Sequence, residues 1–526
     1  MKNPSQVILL ALTLAGATLT SAYAQSNVEE QVILTPPPAH EPHINGPLVY
    51  GVRPGSPFLY RIPCTGDRPL KFFAKDLPAG LTLDADSGII TGTLAAAGTN
   101  RVTLIAQNVR GKAKREFRIV AGSQLALTPP MGWNSWYIYY HVISEAAMRS
   151  AADQMITSSM ADYGYQYVNI DDCWARQPGL TNNAEVGEPT RSADGQILPN
   201  KRFPDMKGMV DYIHAKGLKA GIYTSPGPKT CAGFEGAWEH EAQDAKTFAD
   251  WGFDFLKYDW CSYSHVFKPG DARLTNSVTP QEAKGVPGYR FPYQLMSDEL
   301  KKANRDIVFN LCQYGIGDVA TWGGDVGNCW RTTGDLGAER DAKLPGFYSI
   351  AFSNEKHWQH ARPGAWNDPD YLLIGWIGTN HGKSTKHTTL TPNEQYTYMS
   401  MWALMASPLF FSGDMTQLDP FTLNVLCNSE VIGVDQDPLG HQAHVLRQND
   451  NELVLVRDLE DGSKAVGLFN LGEAPAKLSV SWADLGLTGK QYVHDLWRQK
   501  DLGKFKGEFQ TEVPRHGVAF VQLRSK

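Results

Sequence analysis

Several short apolar runs in this chain end abruptly in residues that can move protons or hold hydroxyl groups. They include Val168-Asn169-Ile170-Asp171-Asp172-Cys173-Trp174, Ala220-Gly221-Ile222-Tyr223, Phe255-Leu256-Lys257-Tyr258-Asp259-Trp260-Cys261 and Cys329-Trp330-Arg331-Thr332-Thr333-Gly334-Asp335. If these runs are parallel strands of one barrel, their carboxyl ends converge on one face, where barrel active sites are built. Asp171, Asp172, Asp259 and Asp335 then meet. Gathering four carboxylates is costly unless cations or ligand hydroxyls compensate, and Lys257 and Arg331 are placed to do so. That pattern suits a neutral, polyhydroxylated ligand. Trp133, Trp136, Trp174, Trp260, Trp330 and Trp366 fall in or beside the same motifs and offer flat apolar faces. A metal is not called for: there is no EF-hand spacing, and His441 and His444 stand in a loop-rich segment, so the reading carries no metal and no cofactor.

The elements that must position these residues follow from periodicity. From Met131 to about Gln436, short apolar runs alternate with longer helix-like segments, the strands including Tyr167 to Ile170, Ala220 to Tyr223, Phe255 to Tyr258, Ile307 to Leu311 and Leu409 to Ser412. About eight such units predict a (β/α)₈ barrel over 126–436. A doubly wound sheet is the alternative, but no G-x-G-x-x-G follows the first strand. Before it, 48–122 reads as short strands separated by turns, the pattern of an immunoglobulin-like β-sandwich. After it, 437–526 reads as a second antiparallel β-sandwich. The proline-rich stretch 25–47, with Pro36-Pro37-Pro38, predicts an extended linker without a packed core.

Length and composition bound the rest. The 526 residues suit two to four domains, and 42% hydrophobic with 20% charged residues excludes a mainly disordered chain. A net charge of -6 gives no basic field to attract nucleic acid or an anionic membrane. Residues 1–24 predict a secretory signal peptide: Lys2, an apolar core from Val7 to Ala15, then Ala22-Tyr23-Ala24 before Gln25. The apolar run is too short to span a bilayer. The product is expected to be secreted or periplasmic, with no membrane insertion, and export makes the seven cysteines candidates for disulfides.

Ordered motifs then carry a resemblance. Pro129-Pro130-Met131-Gly132-Trp133-Asn134-Ser135-Trp136, Asp171-Asp172-Cys173-Trp174, Gly221-Ile222-Tyr223, Lys229-Thr230-Cys231-Ala232-Gly233-Phe234, Lys257-Tyr258-Asp259, Trp330-Arg331 with Asp335, Trp366-Asn367-Asp368-Pro369-Asp370 and Gln436-Asp437-Pro438-Leu439-Gly440 resemble glycoside hydrolase family 27, the α-galactosidase family. The stretch 77–93 resembles the immunoglobulin-like modules that precede catalytic domains in bacterial glycosidases. The family resemblance covers about 126–526. It implies a catalytic barrel, a C-terminal β-sandwich and hydrolysis, with retention, of terminal α-linked galactose from a saccharide. Carried over, it makes Asp259 the nucleophile and Asp335 the acid/base, with Trp136, Asp171, Asp172, Tyr223, Lys257 and Arg331 as contacts to the sugar; Gln313 is a further candidate substrate contact, at the sugar's 2-position. It further implies disulfides Cys231–Cys261 and Cys312–Cys329. Cys173 lacks the partner that many relatives have near 139–143, and Cys312 is followed by Gln313-Tyr314-Gly315 where the family commonly has Glu-Trp-Gly.

The chemistry of the residues agrees with that assignment. Retention needs one ionised and one protonated carboxyl about 5 to 5.5 Å apart. Lys257, two residues before Asp259 on one strand, shares its face and keeps it charged, while Asp335 is expected in a loop whose apolar cover raises its pKa. Other sugars of the family, α-N-acetylgalactosaminides and β-L-arabinopyranosides, are alternatives, as is a non-catalytic carbohydrate-binding protein. The bulk of Gln313 and Tyr314 speaks against an acetamido group, retention of both Asp171 and Asp172 favours a hexose, and the presence of both catalytic carboxylates speaks for an enzyme.

Overall fold

The computed structural model describes residues 32–266, 286–336 and 344–525. The leader expected over 1–24 and the start of the stretch 25–47 lie outside them.

Eight short strands form one parallel sheet, β1 Met131–Asn134, β2 Tyr167–Asn169, β3 Lys219–Thr224, β4 Phe255–Asp259, β5 Val308–Cys312, β6 Cys329–Arg331, β7 Trp366–Asp368 and β8 Leu409–Phe411. Their spatial order is 7-6-5-4-3-2-1-8, and a parallel bridge between Leu372 and Phe411 closes the ring. This is a (β/α)₈ barrel. Each strand is buried along its length, as parallel strands covered on both faces must be. The helices begin where the sequence offers caps. The Ser144 hydroxyl accepts from the Ala147 N–H ahead of helix Glu145–Thr157, Asp205 does the same for Met206–His214, and Thr391 with Glu394 forms a capping box for Pro392–Leu404. The last of these is buried all round, wedged between the barrel and the C-terminal domain.

The N-terminal module is a two-sheet sandwich. One sheet has the order Val49–Val52, Lys112–Ala121, Gly98–Gln107, Lys71–Lys75, and the other joins Pro57–Arg61, Ile89–Thr93 and Leu81–Leu83. Phe58, Tyr60, Phe72, Ile90, Leu104 and Phe117 fill the space between them. The described part of 25–47 does not behave as a free linker. Thr35 is buried, its N–H and that of Leu34 donate to Asn424 Oδ1, and His43–Ile44 pairs with Cys64–Thr65. The physical reason is that an extended, proline-rich backbone leaves its N–H and C=O groups unpaired, and side chains on the barrel's outer helices take them up. The C-terminal domain pairs a six-stranded antiparallel sheet with the two-stranded ribbon Ala476–Ser481 and Glu508–Val513.

The module closes the amino-terminal end of the barrel. Arg53 anchors it: its Nε lies 2.6 Å from Asp306 Oδ1, and its guanidinium donates to the carbonyls of Lys301, Ala303 and Arg305. Lys219, the first residue of β3, points down and donates to the Tyr50 hydroxyl of the module.

Candidate active site

The opposite end of the barrel holds a cavity of about 330 Å³, counting its open mouth, into which β1 to β7 deliver side chains. On β4, alternation turns Lys257 and Asp259 inward and sends Tyr258 outward against Tyr293 and Phe309. Lys257 Nζ donates to Asp171 Oδ2 at 2.9 Å, and the Tyr371 hydroxyl donates to the same oxygen at 3.1 Å. Burial alone opposes the charge on Lys257, but Asp171 overcomes it and holds the ammonium well above its ordinary pKa.

Asp259 is buried between two phenols. Tyr223 donates to its Oδ2 at 3.2 Å and Tyr314 donates to its Oδ1. Burial pushes its carboxyl up to about 6; Lys257 and the Tyr314 hydrogen bond pull it down, and Asp335 and Asp171 push it further up. Beside it lies the disulfide Cys231–Cys261, which joins the loop after β3 to the end of β4.

Arg331 at the end of β6 serves two carboxylates, Asp335 at 3.3 Å and Asp370 at 3.2 Å. Burial works against its charge as well, and Asp370 reverses the balance. Asp370 is buried, with Oδ2 also accepting from Tyr137 and from the Leu336 N–H, while Oδ1 has no partner. Its carboxyl is raised by burial, with Arg331 opposing and Asp335 adding. Asp335 is different: its side chain is 52% exposed and its carboxylate pairs with Arg331, so the apolar cover expected for it is not supplied by the described residues.

Of the residues expected to contact substrate, Trp136, Asp171, Tyr223, Lys257 and Arg331 line the cavity together with Asp259 and Asp335. Asp172 lies behind them. Its Oδ2 accepts from the Ala232 N–H and its Oδ1 from the Cys173 N–H, and burial raises its carboxyl to about 7. Gln313 is not at the cavity. The turn after β5 places Tyr314 (φ 57°) and Gly315 (φ 80°) in the left-handed region, so Tyr314 faces the cavity while the Gln313 amide donates to the Tyr289 carbonyl at 3.1 Å. The bulk argued for both residues therefore applies to Tyr314 alone.

The pair Cys312–Cys329 is also corrected: both are buried free thiols. Register is the reason, since β5 and β6 align Asn310 with Cys329 and Leu311 with Trp330, which leaves Cys312 two residues further along. Its sulfur lies 3.8 Å from the Arg331 guanidinium instead. Cys64, Cys173 and Cys427 are buried thiols too. Tyr137, Asp370 and Tyr371 line the cavity without having been singled out. For Asp370 the signal was present, because Trp366-Asn367-Asp368-Pro369-Asp370 is another apolar strand running into carboxylates.

Comparison with known proteins is extensive. The family model "Alpha galactosidase A" matches residues 128–437, "Alpha galactosidase C-terminal beta sandwich domain" matches 450–523, and an Ig-domain model matches 41–122. Alpha-galactosidase 2 of Arabidopsis thaliana is 37% identical over 411 residues, covering 77% of this chain and 92% of that protein. Alpha-galactosidase A of Cellvibrio japonicus is 33% identical over 420 residues, with 76% and 93% covered. Among solved structures, alpha-galactosidase I from Mortierella vinacea superposes with a TM-score of 0.65 at 31% identity, covering 77% of this chain and 98% of that one. A candidate alpha-galactosidase/melibiase from Bacteroides fragilis reaches 0.81 at 34% identity over 94% of this chain and 99% of that one, a coverage that takes in the N-terminal module as well.

Proposed function

The chain belongs to the α-galactosidase family, glycoside hydrolase family 27, and is an exo-acting α-galactosidase; from that premise we propose that it works by double displacement with Asp259 as nucleophile and Asp335 as acid/base. One observation carries the reading: a buried carboxylate with both oxygens hydrogen-bonded and a second carboxylate at the rim line the same cavity. In the first step an Asp259 oxygen bonds to C1 of galactose as the C1–O bond breaks, and the leaving oxygen takes the proton of Asp335. In the second, Asp335 removes a proton from water, whose oxygen bonds to C1 as Asp259 departs. The anomeric centre is inverted twice and so retained.

The sugar's hydroxyls meet fixed partners. Asp171, locked by Lys257 and Tyr371, and Lys257 itself present an acceptor and a donor on one side. Arg331, held by Asp370 and Asp335, adds a further fixed donor to the cavity wall. Polar groups fixed in this way reward a ring that carries hydroxyls opposite them and would be left unpaired against a ligand that lacks them, which favours galactose. The Trp136 face borders the cavity and suits the ring's apolar surface.

The protein acts outside the cytoplasm, on the strength of the 1–24 leader pattern; no described helix is long and apolar enough to cross a membrane. Proton NMR of a fresh digest tests the mechanism. α-Galactose should appear first and then mutarotate. β-Galactose appearing first would rule out double displacement.

A further inference from the structure

Tyr314 lines the cavity, and neither step of the double displacement as described uses it. Tyr314 stands in the left-handed turn Gln313-Tyr314-Gly315 that closes β5. A non-glycine residue in that region is costly, and such conformations persist where the surroundings over-determine them. Here they do. The next residue, Gly315, is so close to the Thr332 carbonyl that a Cβ would fall 2.1 Å from its oxygen, which fixes the turn against β6. The Tyr314 oxygen rests 3.3 Å from Cys231 Sγ and 3.6 Å from Cys261 Sγ. A phenol has one proton, and a disulfide sulfur has none to give. The Tyr314 proton goes to Asp259 Oδ1, and the sulfurs serve as the seat that aims it. Tyr223 completes the arrangement from the other side, 3.5 Å from Cys261 Sγ and donating to Asp259 Oδ2.

Resting on the reading of Asp259 as nucleophile, we propose that Tyr314 is a positioning residue for the galactosidase reaction: seated on the Cys231–Cys261 disulfide, its phenol holds one oxygen of Asp259 while Tyr223 holds the other. The clamp fixes the plane of the carboxylate before the sugar arrives. It also favours the ionised form that attacks C1 and that must depart again when water displaces it, because a donor to a carboxylate stabilises the charged state. The groups facing Asp259 from the packed elements are Lys257 on its own strand, Asp171 after β2, Tyr223 on β3, Cys312 on β5, Tyr293 on the helix before β5 and Asp335 after β6. Besides these stands Tyr314 itself after β5, and only the two phenols Tyr223 and Tyr314 hydrogen-bond the carboxylate; the Phe replacement removes the Tyr314 bond with little change of shape.

The test uses the whole enzyme. With Tyr314→Phe the acid limb of the kcat/KM profile, which reports the free enzyme, should move up by about one pH unit, and kcat/KM at the optimum should fall about tenfold. With 3-fluorotyrosine incorporated at position 314, a stronger donor of nearly the same size, the limb should move the opposite way. A purely structural role predicts lost activity or stability with no movement of the limb. Labelling with a fluorinated galactosyl fluoride that leaves a slowly hydrolysed galactosyl ester, followed by peptide mass spectrometry, checks the premise separately by showing which residue is esterified. If Asp259 carries the label and the limb stays in place in both enzymes, the clamp is overturned while the mechanism stands. If the Phe variant does not fold, the fluorotyrosine enzyme decides alone.

Discussion

Asp254 and Asp259 stand at opposite ends of β4, both buried, and their carboxyls are driven in opposite directions. At the amino-terminal end, burial would push Asp254 up, but His214 at 2.8 Å, then Arg305 at 2.7 Å and nearby Lys219 bring it down to about 2. At the carboxyl end, burial wins and Asp259 rises to about 6, because the nearest cation, Lys257, is already spent on Asp171. The same low-dielectric barrel thus holds one charge that is fully compensated and one that is not. The first belongs to a structural joint, where the N-terminal module is bolted on through Arg53 and Asp306. The second is an incomplete arrangement that a substrate completes. Buried charge by itself marks neither function nor stability; what decides is whether the protein has supplied the partners.

The largest expected effect breaks the carboxyl end. Asp259→Ala should lower turnover by more than ~10⁴-fold, with partial recovery in azide as the inverted β-galactosyl azide forms. Its thermal midpoint should not fall, since a poorly compensated buried carboxylate is removed. Near-normal turnover would reject the nucleophile assignment. Asp335→Ala comes next. Substrates with basic leaving groups, such as natural disaccharides, should lose ~10² to 10⁴-fold in the first step, and activated aryl galactosides much less. Equal losses across leaving groups would assign the proton to another residue.

How legible this contrast was in the sequence depends on the level. Alternation and strand-end chemistry located Lys257 and Asp259, because a period of two is enough to place both on one face. The barrel, the two flanking sandwiches and the gathering of Asp171, Tyr223, Arg331 and Asp335 at one end were legible in the same kind of pattern. What escaped were features set by local backbone and by register. Gln313 and Tyr314 are adjacent, and only the left-handed turn decides that one faces the cavity and the other faces Tyr289. Cys312 and Cys329 are close in the fold but out of step along neighbouring strands. The stretch before residue 48 reads as a linker because its composition is polar and proline-rich, and its ties to Asn424 and Tyr396 involve residues far away in sequence. The amino-terminal charge network was silent for the same reason: Asp254, His214, Arg305 and Lys219 carry no shared motif.

Asp254→Asn sharpens the comparison from the other end. It should cost ~3 kcal/mol of stability at pH 7, leaving His214 and Arg305 without their carboxylate, while kcat/KM per folded molecule stays within about twofold. Its pH dependence has a definite sign. A carboxyl lowered to about 2 on folding contributes stability that is full above the ordinary value near 4 and is lost as pH falls toward 2. The gap between wild type and variant, read from urea midpoints, should therefore close between about pH 4 and pH 2. A gap that persisted to pH 2 would mean that the charge on Asp254 is not what the variant removes.

The smallest effect separates two kinds of joint made by one module. Arg118 reaches the C-terminal domain through Glu460 at 2.8 Å, but the two side chains are 28% and 40% exposed. Such a pair gains little Coulomb energy in a high dielectric and gives up side-chain freedom to form, so Arg118→Ala should cost less than ~1 kcal/mol. Salt should erase most of that difference, since the Debye length shrinks to about 3 Å at 1 M. Arg53→Ala, by contrast, removes a partly buried cation that holds Asp306 and three backbone carbonyls, and should cost ~2 kcal/mol or more with little sensitivity to salt. Thermal midpoints of both variants at 0.05 and 1 M sodium chloride make the comparison. If Arg118→Ala were as damaging as Arg53→Ala, the module would be held as firmly to the C-terminal domain as to the barrel, and the distinction between compensated interior charge and exposed surface charge would fail at this joint.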